Sequence, residues 1–155
     1  MRIYNTTVVQ DLVYGVETWP AAASVRDAID VAQTNFLRRI EGIKWYDFVS
    51  NTRLLILQGQ TPNSRQLAIR TLRWFGDLIR MPEEAPASIL FNFDPPQHGW
   101  KRPRGRPRFR WRYSLTQYFS MIGTDLQEAV TLAQDRSEWR QRVTSLSTLD
   151  HQQEP

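Results

Sequence analysis

Cysteine is absent from the 155 residues, and histidine occurs only as His98 and His151. The first absence excludes a disulfide framework and a thiol nucleophile, and together they leave no Cys/His metal site. No metal and no cofactor is therefore expected. Long apolar runs are missing too. The longest, Leu54–Leu57 and Ser88–Phe91, fall far short of the roughly 20 residues that span a bilayer, and Met1–Asn5 has no signal-peptide core. These features predict a soluble intracellular protein, nuclear or cytoplasmic, with no membrane partner. Isolated carboxylates such as Glu17, Asp47 and Asp94 occur, but neither an Asp-Asp pair nor a His-containing cluster offers acid/base or metal chemistry. The sequence does not read as an enzyme.

What is present fits one globular domain: 41% of residues are hydrophobic and 23% charged. At this length folding hides roughly 70% of the unfolded surface, enough for a real core. The net charge of +4 conceals an uneven distribution. Residues 1–94 are balanced at 10 basic and 10 acidic side chains, and residues 125–155 carry 3 basic and 6 acidic. Residues 95–124 carry 7 basic side chains and no acidic one, so the whole positive excess lies in one stretch.

Apolar spacing along the rest is helical. Tyr4, Val8, Leu12 and Val16 suggest a first helix, although the β-branched content also allows a strand, with Gly15 and Pro20 turning an irregular corner. Ser24 followed by Asp27 reads as an N-cap for a helix through Val25, Ile29, Ala32, Phe36 and Ile40, closed by Arg38, Arg39 and Gly42. A short segment starts at a capping Asn51 and ends before Gly59, and Thr61–Ser64 supplies the cap for a helix with Ala68, Leu72, Phe75 and Ile79 on one face. Its other face carries Gln66, Arg70, Arg73, Asp77 and Arg80. That stripe is either a solvated face whose Arg stems cover apolar surface or a second basic patch formed by Arg70, Arg73 and Arg80.

Residues 82–110 show no period and contain six prolines, so an extended connector is expected. Helical spacing resumes at Trp111, Leu115, Tyr118 and Ile122. Thr124 with Gln127, then Asp135 with Glu138, form capping boxes for two further helices. The expected fold is all-α: about five to seven helices in two groups, residues 1–81 and 111–147, joined by the Pro/Arg-rich connector 82–110 and followed by a frayed tail, 148–155.

The connector ends in alternating Arg and Pro: Lys101, Arg102, Pro103, Arg104, Gly105, Arg106, Pro107, Arg108, Phe109, Arg110, Trp111, Arg112. Pro103–Pro107 matches the core of the AT-hook. Gly lets the backbone approach the groove floor, the prolines hold the chain extended, and two Arg side chains diverge into a narrow minor groove whose negative potential attracts them. The alternatives are sequence-neutral phosphate binding with Phe109, Trp111 and Tyr113 as stacking platforms, and an Arg-rich loop that binds acidic protein surface. Candidate nucleic-acid contacts are Lys101, Arg102, Arg104, Gly105, Arg106, Arg108, Arg110 and Arg112, and the partner class is RNA and/or DNA.

Five blocks in order, Val13–Trp19, Phe36–Trp45, Leu72–Pro82, Arg104–Arg112 and Leu132–Arg140, make the chain resemble the C-terminal part of LINE-type (non-LTR) retrotransposon polyproteins, the region after the reverse-transcriptase palm. The resemblance covers residues 12–143. It implies that 1–81 is a thumb-like region, that the chain helps a polymerase hold template RNA and target DNA, and that the remainder of the reverse transcriptase is a partner. It brings no catalytic residue, because the metal-binding Tyr-x-Asp-Asp turn has no counterpart here. Two positions depart from the family pattern: Gly76 is followed by Asp77 rather than His, and Tyr113 stands where an acidic residue is usual. The competing expectation is a structural piece without independent activity that packs on the missing palm.

Overall fold

Helix α4, Asn63–Ile79, carries the strongest apolar period in the chain and organises the molecule around itself. The computed structural model describes residues 2–19, 22–93, 104–105 and 111–148, and all regular structure among them is helical. A π-helical turn, Tyr4–Val8, runs into α1, Val9–Leu12, followed by a 3-10 turn, Val16–Thr18. Then come α2, Ala23–Glu41, a second 3-10 turn, Trp45–Asp47, and α3, Asn51–Leu57. Beyond α4 lie α5, Pro86–Asn92, α6, Trp111–Ser114, α7, Thr116–Met121, α8, Leu126–Gln134, and α9, Arg136–Thr148. The all-α expectation holds, and the first segment is helical rather than a strand.

Leu67, Ala68, Leu72 and Phe75 of α4 are at most 1% exposed. Helix α4 meets α2, the Val16–Thr18 turn, α5, α8 and α9. One continuous core therefore runs from Tyr4 to Leu146 through both sequence groups. Its centre is aromatic: Phe75 packs edge-on to Phe119 at 5.0 Å and to Phe91 at 5.9 Å between ring centroids, and tilted against Trp139 at 5.5 Å. Offset and edge contacts of this kind favour the ring quadrupoles beyond simple area burial.

The start of α4 is satisfied from another helix. Pro62 at its N-cap offers no side-chain oxygen, so the Thr61–Ser64 cap expected from sequence is replaced by α2. The Gln33 Oε1 accepts from the Asn63 amide at 2.8 Å, its Nε2 donates to the Thr61 carbonyl at 2.9 Å, and Asp30 Oδ1 accepts from the Ser64 amide at 2.8 Å. Gln33 is fully buried, and its amide pairs with backbone on both sides, which is what makes that burial tolerable. Nearby, the Tyr4 hydroxyl and Asn63 side chain are buried neighbours that miss good hydrogen-bond geometry. Burial raises the Tyr4 pKa, and Asn63 acts in the opposite direction.

Other boundaries move by one or two residues. Helix α2 starts at Ala23, and Ser24 is not its cap. Ser50 rather than Asn51 caps α3, accepting from the Arg53 amide at 3.2 Å, which frees Asn51 to accept from Arg38 at 2.9 Å. Asp125 rather than Thr124 caps α8, accepting from Glu128 N. Asp135 caps α9 as expected, accepting from the amides of Ser137 and Glu138 at 2.7 and 3.1 Å. These bonds and the Ser137 hydroxyl, the largest influence, lower the Asp135 pKa. Gly42, with φ +68, ends α2 as expected: its amide reaches the Arg39 carbonyl and the Ile43 amide reaches that of Arg38.

The connector is not extended throughout, since α5 lies inside it. Pro86 occupies the first turn of that helix, where an amide would have no intrahelical partner and a ring with fixed φ fits. Helix α9 reaches Thr148, one residue into the segment expected to fray. The rest of the tail, 149–155, lies outside the described residues.

Candidate nucleic-acid interface

Arg70 and Arg73 of α4 and Arg80 at its C-cap make up the arginine stripe, but the three do different things. Arg70 Nη1 donates to the Val13 carbonyl at 3.3 Å and its Nη2 to Gln10 Oε1 at 2.5 Å, holding the N-terminal segment onto α4. Arg80 Nη1 donates to the Ala133 carbonyl at 2.6 Å, near the C-terminal end of α8, where a cation suits the helix dipole. Its Nη2 pairs with Asp77 Oδ1 at 2.8 Å. The acidic residue that interrupts the basic stripe therefore neutralises Arg80, and Arg73 alone of the three is exposed.

Of the basic segment, Arg104, Gly105 and Arg112 are described. Lys101, Arg102, Arg106, Arg108 and Arg110 lie outside the described residues. Arg104 and Gly105 form an exposed bend, and Gly105 has φ +129, a region that side chains with a Cβ avoid. Nothing lies within 4 Å of where its Cβ would stand, so the residue is required by backbone conformation and not by crowding. At α6 the chain joins the core. Trp111 Nε1 donates to the Glu17 carbonyl at 2.8 Å, and the ring stands edge-on to Phe91 at 6.3 Å. Trp111 is thus a core anchor and is not free to stack on a base. Arg112 lies over the Phe91 ring, 5.1 Å from its centroid, as a cation–π contact.

A second surface carries no clear signal in the sequence. Trp45, Tyr46 and Phe48, in the loop between α2 and α3, are 86%, 56% and 87% exposed. Aromatic residues at close spacing ordinarily signal core. The available clue was the absence of a helical apolar period across residues 43–49.

Among the described residues no helix is long and apolar enough to cross a membrane, and no three His, Cys, Asp or Glu side chains are grouped to hold a metal ion. Comparison of the chain with protein-family models, curated proteins and solved structures finds no match.

Proposed function

We propose that this chain is a non-catalytic nucleic-acid-binding part of a retrotransposon-type reverse transcriptase, contacting phosphates of RNA or DNA through Lys101, Arg102, Arg104, Arg106, Arg108, Arg110 and Arg112. The observation that carries the reading is the exposed Arg104–Gly105 bend just ahead of an α6 whose Trp111 is bonded to Glu17. A +7 segment with no acidic residue is thereby attached at its C-terminal end to a fixed point on the core. Five ordered sequence blocks support the retroelement origin.

Binding of the purified chain to labelled single-stranded RNA, single-stranded DNA, and A·T-rich and G·C-rich duplexes, over a range of salt, tests the reading. If all seven cations meet duplex phosphates, log K falls against log salt with a slope of about −6. Preference for A·T duplex, lost on Arg104→Ala with Arg106→Ala, assigns minor-groove binding. Absence of salt-dependent binding to every ligand rejects the proposal.

A second reading, a structural piece that packs on the palm of a polymerase, is favoured by the exposure of Ile40, Ile56, Leu57 and Leu90, at 54%, 60%, 63% and 76%. Helical circular dichroism without a cooperative calorimetric transition selects it, whereas a cooperative transition is what one continuous core predicts.

A further inference from the structure

We propose that the α2–α3 loop is a stacking platform for unpaired bases, a second nucleic-acid site built from Trp45, Tyr46 and Phe48 and flanked by Arg39, Lys44 and Arg53. The choice of nucleic acid as ligand rests on the reading above, but the residues and the mode of contact are different.

Three features set this loop apart from an incidental exposed ring. First, its backbone is held. Arg38 Nη2 donates to the Val49 carbonyl at 2.5 Å and to Asn51 Oδ1 at 2.9 Å, tying the end of α2 to the far side of the loop and the start of α3. Asp47 Oδ2 accepts from the Lys44 amide at 2.6 Å and closes the 3-10 turn between them. Second, the loop carries strain that no internal contact rewards. Phe48 has φ +51 and ψ +29, a left-handed conformation that is unfavourable for a residue with a Cβ. Its side chain is nonetheless 87% exposed, so the strained residue buries almost none of its apolar surface. Strain that persists where the surroundings impose it, with the side chain directed outward, points to use of that side chain. Third, Trp45 and Tyr46 stand edge to face at 5.7 Å with an interplanar angle of 77°. The pair offers ring faces in two orientations.

The charged neighbours identify the occupant. Arg39, Lys44 and Arg53 are all exposed. Against them stand Glu41 and Asp47, and the Asp47 carboxylate is engaged by the Lys44 amide. Exposed aromatic rings with exposed cations close by in sequence match a polyanion that also presents flat apolar faces, and that is a single strand with unstacked bases. A duplex has its base faces covered and offers the rings nothing to stack on. An apolar protein surface would engage the rings but leave the three cations without partners.

The test uses the full chain with labelled 15-nucleotide oligo-dT and oligo-U and an A·T duplex of equal length, read by fluorescence anisotropy. Trp45→Ala and Phe48→Gly each weaken single-strand binding by roughly tenfold and leave duplex binding unchanged. Phe48→Gly suits the left-handed backbone, so its thermal midpoint stays at or above that of the parent chain. Unchanged single-strand affinity in both variants overturns the platform. So does a concentration-dependent dimer in sedimentation that Phe48→Gly dissolves, which would make the loop an interface between copies. Arg104→Ala with Arg106→Ala is measured alongside: it weakens single-strand and duplex binding together. Loss in that variant combined with normal binding in the loop variants rejects the platform and keeps the basic segment. The reverse pattern rejects the basic segment and keeps the platform.

Discussion

Trp139 of α9 lies across Gly76 of α4: a Cβ at residue 76 would collide with the indole ring, whose Nε1 donates to the Leu72 carbonyl at 2.9 Å. The two helices approach closely because residue 76 has no side chain, and the indole is rigid and buried at 2% exposure. Gly76→Ala should therefore destabilise the fold by about 1–3 kcal/mol, the range for overpacking a dense core, despite the better helix propensity of Ala. Trp139→Ala alone should cost about 3–5 kcal/mol. In the double variant the added methyl enters the vacated space, so the Gly76→Ala penalty vanishes. Urea denaturation of all three measures this, and strict additivity refutes the contact.

Removing Gln33 exposes the dependence of α4 on α2. Gln33→Leu keeps the volume but leaves the buried Asn63 amide and the half-buried Thr61 carbonyl without their partner, a loss of about 2 kcal/mol. Asp30→Ala, which removes a half-buried cap from Ser64, should cost about 1 kcal/mol. Hydrogen exchange at Asn63 and Ser64 should accelerate in Gln33→Leu before exchange in the middle of α4 does.

The arginines of the stripe should separate into two behaviours. Arg80→Ala deletes a charged donor to the Ala133 carbonyl and should lower stability by about 1.5–3 kcal/mol. Arg73→Ala should leave stability within about 0.5 kcal/mol. If α4 touches phosphate, Arg73→Ala also reduces the salt slope of binding by about 1. A salt slope that changes with Arg80→Ala in the still-folded protein and not with Arg73→Ala contradicts this division.

Alkali should weaken the fold through Tyr118, whose hydroxyl pKa is pushed up to about 12, mainly by burial, with the Arg26 charge acting in the opposite direction. The unfolded chain loses this proton near the ordinary value of 10. Between these limits the folded protein holds more protons than the unfolded one, so stability is intact below pH 10 and falls as pH rises toward 12. The acid counterpart is Asp135. Its lowered pKa stabilises the fold above the ordinary carboxylate range, and the benefit disappears as pH falls through the folded value. Thermal midpoints should decline less steeply above pH 10 in Tyr118→Phe than in the parent chain, and an identical alkaline slope in the two contradicts the assignment.

The period of Ala68, Leu72 and Phe75 made α4 legible, because a buried stripe on one helix is a local property of sequence. The caps of α3 and α8 were legible to within a residue: Asn51 and Thr124 each sit beside the true cap, and polar residues of similar capping ability cannot be ranked without the backbone. Helix α2 instead starts from Ala22, which has no capping side chain, two residues before Ser24. The cap of α4 was invisible, since its donors and acceptors meet across about thirty residues. Helix α5 was hidden by Pro86, which breaks a helix interior but not a first turn. At the interface, the arginine stripe was readable as a pattern, whereas the use of Arg70 and Arg80 as ties to Val13 and Ala133 depends on which carbonyls the fold brings alongside. The exposure of Trp45 and Phe48 ran against their composition, because aromatic rings in a small helical protein normally contribute to the core.

The closure of α4 by Gln33 and Asp30 also sets an order of events. During synthesis from the N-terminus, all of α2 precedes Asn63 in the growing chain. The acceptors for the first amides of α4 are therefore synthesised before that helix is. They offer a template on which its first turn, the costly step of helix formation, can nucleate. A chain that begins after α2 would keep every residue of the central helix and lose the cue for where it begins.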